Sequence, residues 1–250
     1  MRLTATSALL GVALAAVSLS PAGAAELKVL AGGSMTASLK ELGPKFEAAT
    51  GHKLDISFAA TPELIKMSTA APFDLGVVPV DVLKNDAARA KYAAGPALTI
   101  ARVGYGVAVK AGSAKPDVST PDALKAALLK AQSIAFIPES AAGAYVMKVF
   151  DRLGIAAEMK AKTKPQTTTV AVPQAVAKGE AELGVFLTNV LIAPGVEFAG
   201  PFPGDLQNEL VFVGAVAAES KDAGAAKAFL DYLKSPEGVA VFKAKGVTPG

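Results

Sequence analysis

A strand, a glycine-rich turn and a helix are indicated by Leu27-Lys28-Val29-Leu30-Ala31-Gly32-Gly33-Ser34-Met35-Thr36, where an apolar run meets two glycines and a serine. Beyond it, apolar residues repeat at helical spacing at Leu39, Leu42 and Phe46. The first amides of such a helix have no partner within it, and together with the helix dipole they favour an anion. The glycines, Gly33 among them, let a ligand approach the backbone closely. Ser34 stands at the predicted N-cap, where its hydroxyl either caps the helix or faces a ligand.

Residues 1–24 have the composition of an export signal. Arg2 supplies a positive charge, an apolar stretch follows over residues 8–19, and small residues precede Ala25. We therefore expect cleavage after Ala24, so that the mature chain begins at Ala25. An anchoring helix is the alternative, and it is disfavoured because the apolar stretch is too short to span a bilayer.

The charge and the rare residue types exclude several classes of site. The whole chain has 25 basic and 22 acidic residues, and removal of the leader with Arg2 leaves 24 against 22. The basic residues form no patch interleaved with aromatic residues, so we expect no nucleic-acid partner. With one histidine and no cysteine, the chain cannot build a Cys/His dyad or a histidine-rich metal site. We therefore expect no direct metal ligands and no cofactor.

Strand, turn and helix patterns alternate along the rest of the chain. Thr61 follows an apolar run over residues 54–59, and Ala142 lies in a turn after the run 133–137. Thr169 precedes the helical pattern of residues 170–178, and Thr188 follows the run 183–187. This alternation predicts an α/β fold with mostly parallel sheets. The carboxyl ends of such strands share one edge, which is where ligands bind in open α/β sheets.

Several segments resemble periplasmic solute-binding proteins of the molybdate-binding type. The order and spacing of these segments carry the resemblance, which extends over essentially the whole mature chain. The segments are Ala31–Thr36, Phe46–Gly51, Phe58–Thr61, Phe73–Leu75, Pro138–Tyr145, Leu153-Gly154, Gly179–Gly184 and Ala226–Glu237.

This resemblance implies a two-lobed periplasmic binding protein of type II. Each lobe would be a mostly parallel sheet flanked by helices, with the ligand in the cleft between them. Lobe 1 would comprise residues 25–105 and 215–250, and lobe 2 residues 106–214. Such a protein is expected to be a monomer in the periplasm and to deliver its solute to an ABC permease in the inner membrane.

The resemblance also implies which residues contact the ligand. It places oxyanion contacts at Ser34, Thr61, Ala142 and Thr169, to which the sequence of the first turn adds Gly33. The tyrosine of molybdate binders corresponds to Leu187 in this chain, with Thr188 next to it as the sixth candidate. The expected ligand is a small oxyanion like molybdate or tungstate, held by backbone amides and hydroxyl groups.

Three other functions are considered beside this one. An enzyme is not expected, because the sequence contains no paired acid and base, no nucleophile elbow and no phosphate-loop lysine. A sensor domain is disfavoured by the export signal. A binding protein for a small organic anion stays open: a carboxylate usually requires an arginine fork, which Arg102 could supply, and Tyr105 or Tyr145 could form a wall of such a site.

Overall fold

The computed structural model describes residues 23–250. The predicted signal peptide therefore lies outside the described residues, apart from its last two positions. Within residues 23–250, none of the helices combines the length and the hydropathy that a membrane span requires.

Strands and helices alternate along the chain, as the sequence pattern predicts. The strands are β1 (Glu26–Gly32), β2 (Lys53–Ala59), β3 (Leu75–Pro79), β4 (Leu98–Lys110), β5 (Ile134–Phe136), β6 (Thr163–Pro165), β7 (Leu183–Leu187), β8 (Val196–Pro201), β9 (Glu209–Val216) and β10 (Thr248–Pro249). The α-helices are α1 (Thr36–Thr50), α2 (Thr61–Ala70), α3 (Asp86–Arg89), α4 (Pro121–Lys130), α5 (Ala141–Arg152), α6 (Ala156–Lys162), α7 (Ala171–Lys178), α8 (Thr188–Leu191), α9 (Ala223–Leu233) and α10 (Pro236–Ala244). Short 3-10 segments lie at Gly33–Met35, Val80–Lys84 and Gly204–Leu206.

The strands pair in the order β2-β1-β3-β9-β4-β7-β5-β6, and both β8 and β10 pair with β4. Strands β1, β2 and β3 are parallel to one another, as are β5, β6 and β7. Strand β9 runs antiparallel to β3, and β4 runs antiparallel to both β9 and β7. The result is an α/β protein with a parallel sheet at each end, which agrees with the predicted two-lobed architecture.

One long strand joins the two ends. The first half of β4, up to Gly104, pairs with β9, and its second half, from Tyr105, pairs with β7. We call β1–β3, β9, β10, the first half of β4 and the helices packed on them (α1–α3, α9, α10) the first lobe. The second lobe is β5–β8, the second half of β4 and α4–α8. The predicted lobe boundaries, at 105/106 and 214/215, stay a prediction.

Helix α1 packs its predicted apolar face into the core of the first lobe. Leu39, Leu42 and Phe46 are buried, and the ring centroid of Phe46 lies 4.9 Å from that of Phe229 on α9. The sequence has a proline, Pro44, inside this helical pattern, which predicts a kink or a restart of the helix. That prediction is wrong, because α1 runs unbroken from Thr36 to Thr50. A proline removes one backbone hydrogen bond, and the buried side chains on both sides of Pro44 offset that loss.

Candidate functional site

A small cavity lies where the two lobes meet, at the carboxyl ends of β1, β2 and β7. Its volume is about 20 Å³, which is room for about one water molecule. The first lobe contributes Gly32, Gly33, Ser34, Ala59, Ala60, Thr61, Pro79, Leu210 and Phe212 to its lining. The second lobe contributes Ile137, Ser140, Ala142, Thr169, Phe186 and Leu187.

Ser34 brings a buried hydroxyl to this cavity. The residue lies within the 3-10 segment Gly33–Met35, and the N-cap positions of that segment and of α1 are Gly32 and Met35. The prediction that Ser34 is the N-cap is therefore wrong. Its Oγ is buried and has no hydrogen-bond partner among residues 23–250. A buried hydroxyl without a partner costs about 1–3 kcal/mol, which a ligand in the cavity can recover.

Thr61 brings a second hydroxyl from the same lobe. It is the first residue of α2, and Ala60 rather than Thr61 is the N-cap. Its Oγ1 accepts a hydrogen bond of 3.2 Å from the Ala141 N–H of the second lobe. Because Oγ1 acts only as an acceptor in that contact, the Thr61 hydroxyl proton is free to donate to a ligand.

Ala142 offers a backbone amide from the start of α5. Ser140 is the N-cap of this helix: its Oγ accepts from the Gly143 N–H at 3.0 Å and donates to the Ile137 carbonyl at 2.8 Å. Since Thr61 accepts from the Ala141 N–H, the Ala142 N–H is the first-turn amide of α5 that remains for a ligand. The role of Ser140 as the cap of α5 was not among the sequence predictions.

Thr169, which precedes α7 in the second lobe, lies next to Gly33 of the first lobe. A Cβ atom placed on Gly33 would lie 2.9 Å from Thr169 Oγ1 and 3.1 Å from its Cγ2. The two lobes therefore approach each other so closely at this point that only a glycine fits without displacing Thr169. This contact gives a physical reason for the glycine that the sequence places in the first turn.

Gly33→Ala should hold the lobes apart without unfolding either of them. The three atoms nearest to the added methyl group all belong to the Thr169 side chain, so the first lobe itself has room for it. We expect about 3- to 10-fold weaker ligand binding, on the order of 1 kcal/mol, with an unchanged melting temperature of the ligand-free protein. Calorimetric titration and thermal melts measure both quantities, and equal affinity of variant and wild type would contradict the close approach.

The last candidate, Thr188, does not join the others in the described structure. It is the first residue of α8 and is absent from the cavity lining given above, whereas Leu187, the preceding residue, is buried and lines the cavity. The next residue, Asn189, donates from Nδ2 to the Ser34 carbonyl at 2.7 Å. The position of Asn189, two residues after an apolar strand, was the only signal for it in the sequence.

No ionisable side chain stands among the residues that line the cavity in the described part of the chain. The residues considered for an organic anion, Arg102, Tyr105 and Tyr145, are not among these lining residues.

The hydroxyl of Tyr145 donates to the Leu206 carbonyl at 3.0 Å. Burial raises the pKa of the Tyr105 hydroxyl above its usual value. Arg102 lies in β4 opposite Thr248 of β10. Among residues 23–250, no cluster of His, Cys, Asp and Glu side chains is arranged to hold a metal ion.

Comparison with known proteins finds a matching family, related sequences and a similar solved structure. A family model described as "Bacterial extracellular solute-binding protein" matches residues 27–248. An aconitate isomerase from Pseudomonas sp is 32% identical over 231 residues, covering 89% of this chain and 87% of that protein. The molybdate-binding protein ModA of Azotobacter vinelandii is 31% identical over 230 residues, covering 89% of this chain and 90% of that protein. The solved structure of the A. vinelandii periplasmic molybdate-binding protein matches with a TM-score of 0.74 and 21% identity, covering 89% of this chain and 98% of that chain.

Proposed function

We propose that this chain, which belongs to the family of bacterial extracellular solute-binding proteins, binds a small oxyanion of the molybdate or tungstate type between its lobes. The observation that carries this proposal is the Ser34 hydroxyl, which is buried at the cavity and has no partner within residues 23–250. A buried donor of this kind is stabilised by an acceptor such as an oxyanion.

Neutral donors from both lobes would surround the ion. The Ser34 and Thr61 hydroxyls come from the first lobe, and the Ala142 amide and the Thr169 hydroxyl come from the second. Hydrogen bonds to a charged group contribute about 1.5–3 kcal/mol each, and the helix N-termini at the cavity add a favourable potential for an anion. The apolar part of the lining, Phe186 and Phe212 included, excludes water and strengthens these contacts.

We further propose a role in import. The export signal predicted over residues 1–24 would place the protein in the periplasm, where, as a monomer, it would deliver the ion to an ABC permease. The family membership and the similarity to proteins named as molybdate-binding support this role. Thr188, which does not line the cavity in the described structure, remains a proposed contact only.

The relative named aconitate isomerase makes an enzyme the second candidate. An isomerase that moves a proton requires a positioned base and acid, and the lining residues within 23–250 include no ionisable side chain. This observation supports a binding protein rather than an enzyme.

A ligand panel tests the proposal. The mature protein is titrated with molybdate, tungstate, sulfate, phosphate and aconitate, and the melting temperature is followed. A ligand at 100 times its dissociation constant should add about 2.7 kcal/mol of stability. We expect the largest shift with molybdate or tungstate and no interconversion of aconitate isomers by NMR. A shift with aconitate alone, or its turnover, would overturn the proposal.

The affinity for molybdate should not change between about pH 6 and about pH 9. The reason is that the cavity-lining residues in the described structure carry no side chain that titrates there. Calorimetric titration across this range measures the dissociation constant directly. An affinity that fell about tenfold per pH unit would show that a titrating group contacts the ion, in conflict with a site of neutral donors.

A further inference from the structure

The two lobes are joined beside the cavity by hydrogen bonds that involve no ligand. Asn189 Nδ2 of the second lobe donates to the Ser34 carbonyl of the first lobe at 2.7 Å. The Ala141 N–H of the second lobe donates to Thr61 Oγ1 at 3.2 Å. Each bond connects a cavity-lining turn of one lobe to the opposite lobe, so together they fix the distance between the walls.

Asn189 lies between two segments of the first lobe, the Ser34 turn and the C-terminal segment around Gly246. It follows Leu187 by two residues, and Leu187 lines the cavity. On its other side lies Gly246 of the first lobe, where an added Cβ would be 3.8 Å from the Asn189 Cα and 2.8 Å from Ile192 Cδ1. The amide thus lies between the Ser34 turn and the C-terminal segment of the first lobe, outside the cavity lining itself.

We expect the contribution of Asn189 to stability to be small. Its Oδ1 is buried and has no hydrogen-bond partner among the described residues. Burial of an acceptor without a partner offsets the gain from the bond that Nδ2 makes. An apolar side chain of similar volume would therefore leave the protein about as stable, and the amide contributes geometry rather than stability.

We propose that Asn189 is a positioning residue that sets the width of the cavity and thereby the selectivity between oxyanions of different size. This inference rests on the proposed oxyanion binding. Sulfate and molybdate share their charge and tetrahedral shape, so neutral donors distinguish them by size alone. The bond from Asn189 fixes the Ser34 turn relative to the second lobe. An ion that is too large therefore has to stretch this bond, and one that is too small loses hydrogen bonds to one of the lobes.

Selectivity is the first test. Asn189→Leu keeps the number and branching of the side-chain heavy atoms and removes the donor, and Asn208→Leu, at an exposed position, is the matched control. Titrations with molybdate and with sulfate give the ratio of the two dissociation constants. We expect Asn189→Leu to bring this ratio about 3- to 10-fold closer to unity, with the melting temperature unchanged. Equal losses for both ions together with a lower melting temperature would indicate a purely structural residue and overturn the proposal. Asn189→Ala repeats the test if the leucine variant does not fold.

Distances between the lobes in the ligand-free protein give a second, independent test. The chain contains no cysteine, so introduced cysteines are the only labelling sites. Spin labels are attached at Lys66→Cys in the first lobe and Met147→Cys in the second, both at exposed positions. Asn189→Asp has the same shape but places a carboxylate oxygen against the Ser34 carbonyl, and it should lengthen the interlobe distance. Asn189→Leu should broaden the distance distribution.

Unchanged distances in both variants would overturn the role of Asn189. If neither anion binds to the wild-type protein, the proposed function fails, whereas the distance measurement still decides whether Asn189 holds the lobes together. The two failures are therefore distinguishable.

Discussion

Ser34→Ala should weaken oxyanion binding about 10- to 100-fold and leave the ligand-free protein as stable as the wild type, or more stable. The loss follows from removal of one hydrogen bond to a charged ligand, which is worth about 1.5–3 kcal/mol. The stability is preserved because the hydroxyl that is removed has no partner among residues 23–250. Calorimetric titration with molybdate gives the affinity, and urea unfolding without ligand gives the free energy of unfolding.

Ser140→Ala is the matched control, since both serines line the same cavity. The Ser140 hydroxyl makes its hydrogen bonds within the protein, to the Gly143 N–H and the Ile137 carbonyl. Its removal should lower the free energy of unfolding by about 1 kcal/mol, as the loss of an N-cap does, with a smaller change in affinity than Ser34→Ala. The opposite pattern, in which Ser34→Ala is destabilised and binds normally, would assign Ser34 to a structural role.

The periodicity of the sequence predicted the α/β fold because each strand and helix carries its own local pattern. The apolar run 27–31 became β1, and Leu39, Leu42 and Phe46 became the buried face of α1. Helix starts were less accurate. Ser34 lies one position before Met35, the N-cap of α1, and Thr61 lies one position after Ala60, the N-cap of α2. A hydroxyl residue near a helix start is typical of a cap, but the same hydroxyl can instead face a ligand, and the sequence does not distinguish the two.

The sequence predicted the cavity residues that lie at the ends of strands. It did not predict the contacts between the two lobes. Ser34, Thr61, Ala142 and Thr169 line one cavity, as expected when strand ends share an edge. The bond between Asn189 and Ser34 joins residues 155 positions apart, and no local pattern specifies such a pair. The sequence also failed to predict that α1 continues through Pro44. Contacts with residues distant in the chain offset the local cost of the proline, and these contacts are not visible in the local pattern.

Gly143→Ala should cause the largest loss of stability. A Cβ atom at this position would lie 1.9 Å from the Ile137 carbonyl oxygen and 2.8 Å from the Pro138 Cα. These are backbone atoms, so no side-chain rotation relieves the clash and the turn that carries Ser140 and Ala142 has to move. We expect a destabilisation of at least about 3 kcal/mol, a fall in melting temperature of about 6–12 °C, and loss of measurable oxyanion binding.

Gly224→Ala provides the comparison, because an added Cβ on this α9 residue meets no atom of the described structure within 4 Å outside its chain neighbours and the adjacent backbone of its own helix. Alanine is favoured over glycine inside a helix, so this variant should be stabilised by up to about 1 kcal/mol. The difference between the two glycines then measures the steric requirement at Gly143 rather than a general effect of substitution. If Gly143→Ala melted and bound molybdate like the wild type, the turn before α5 would not have the close backbone packing on which the position of the Ala142 amide depends.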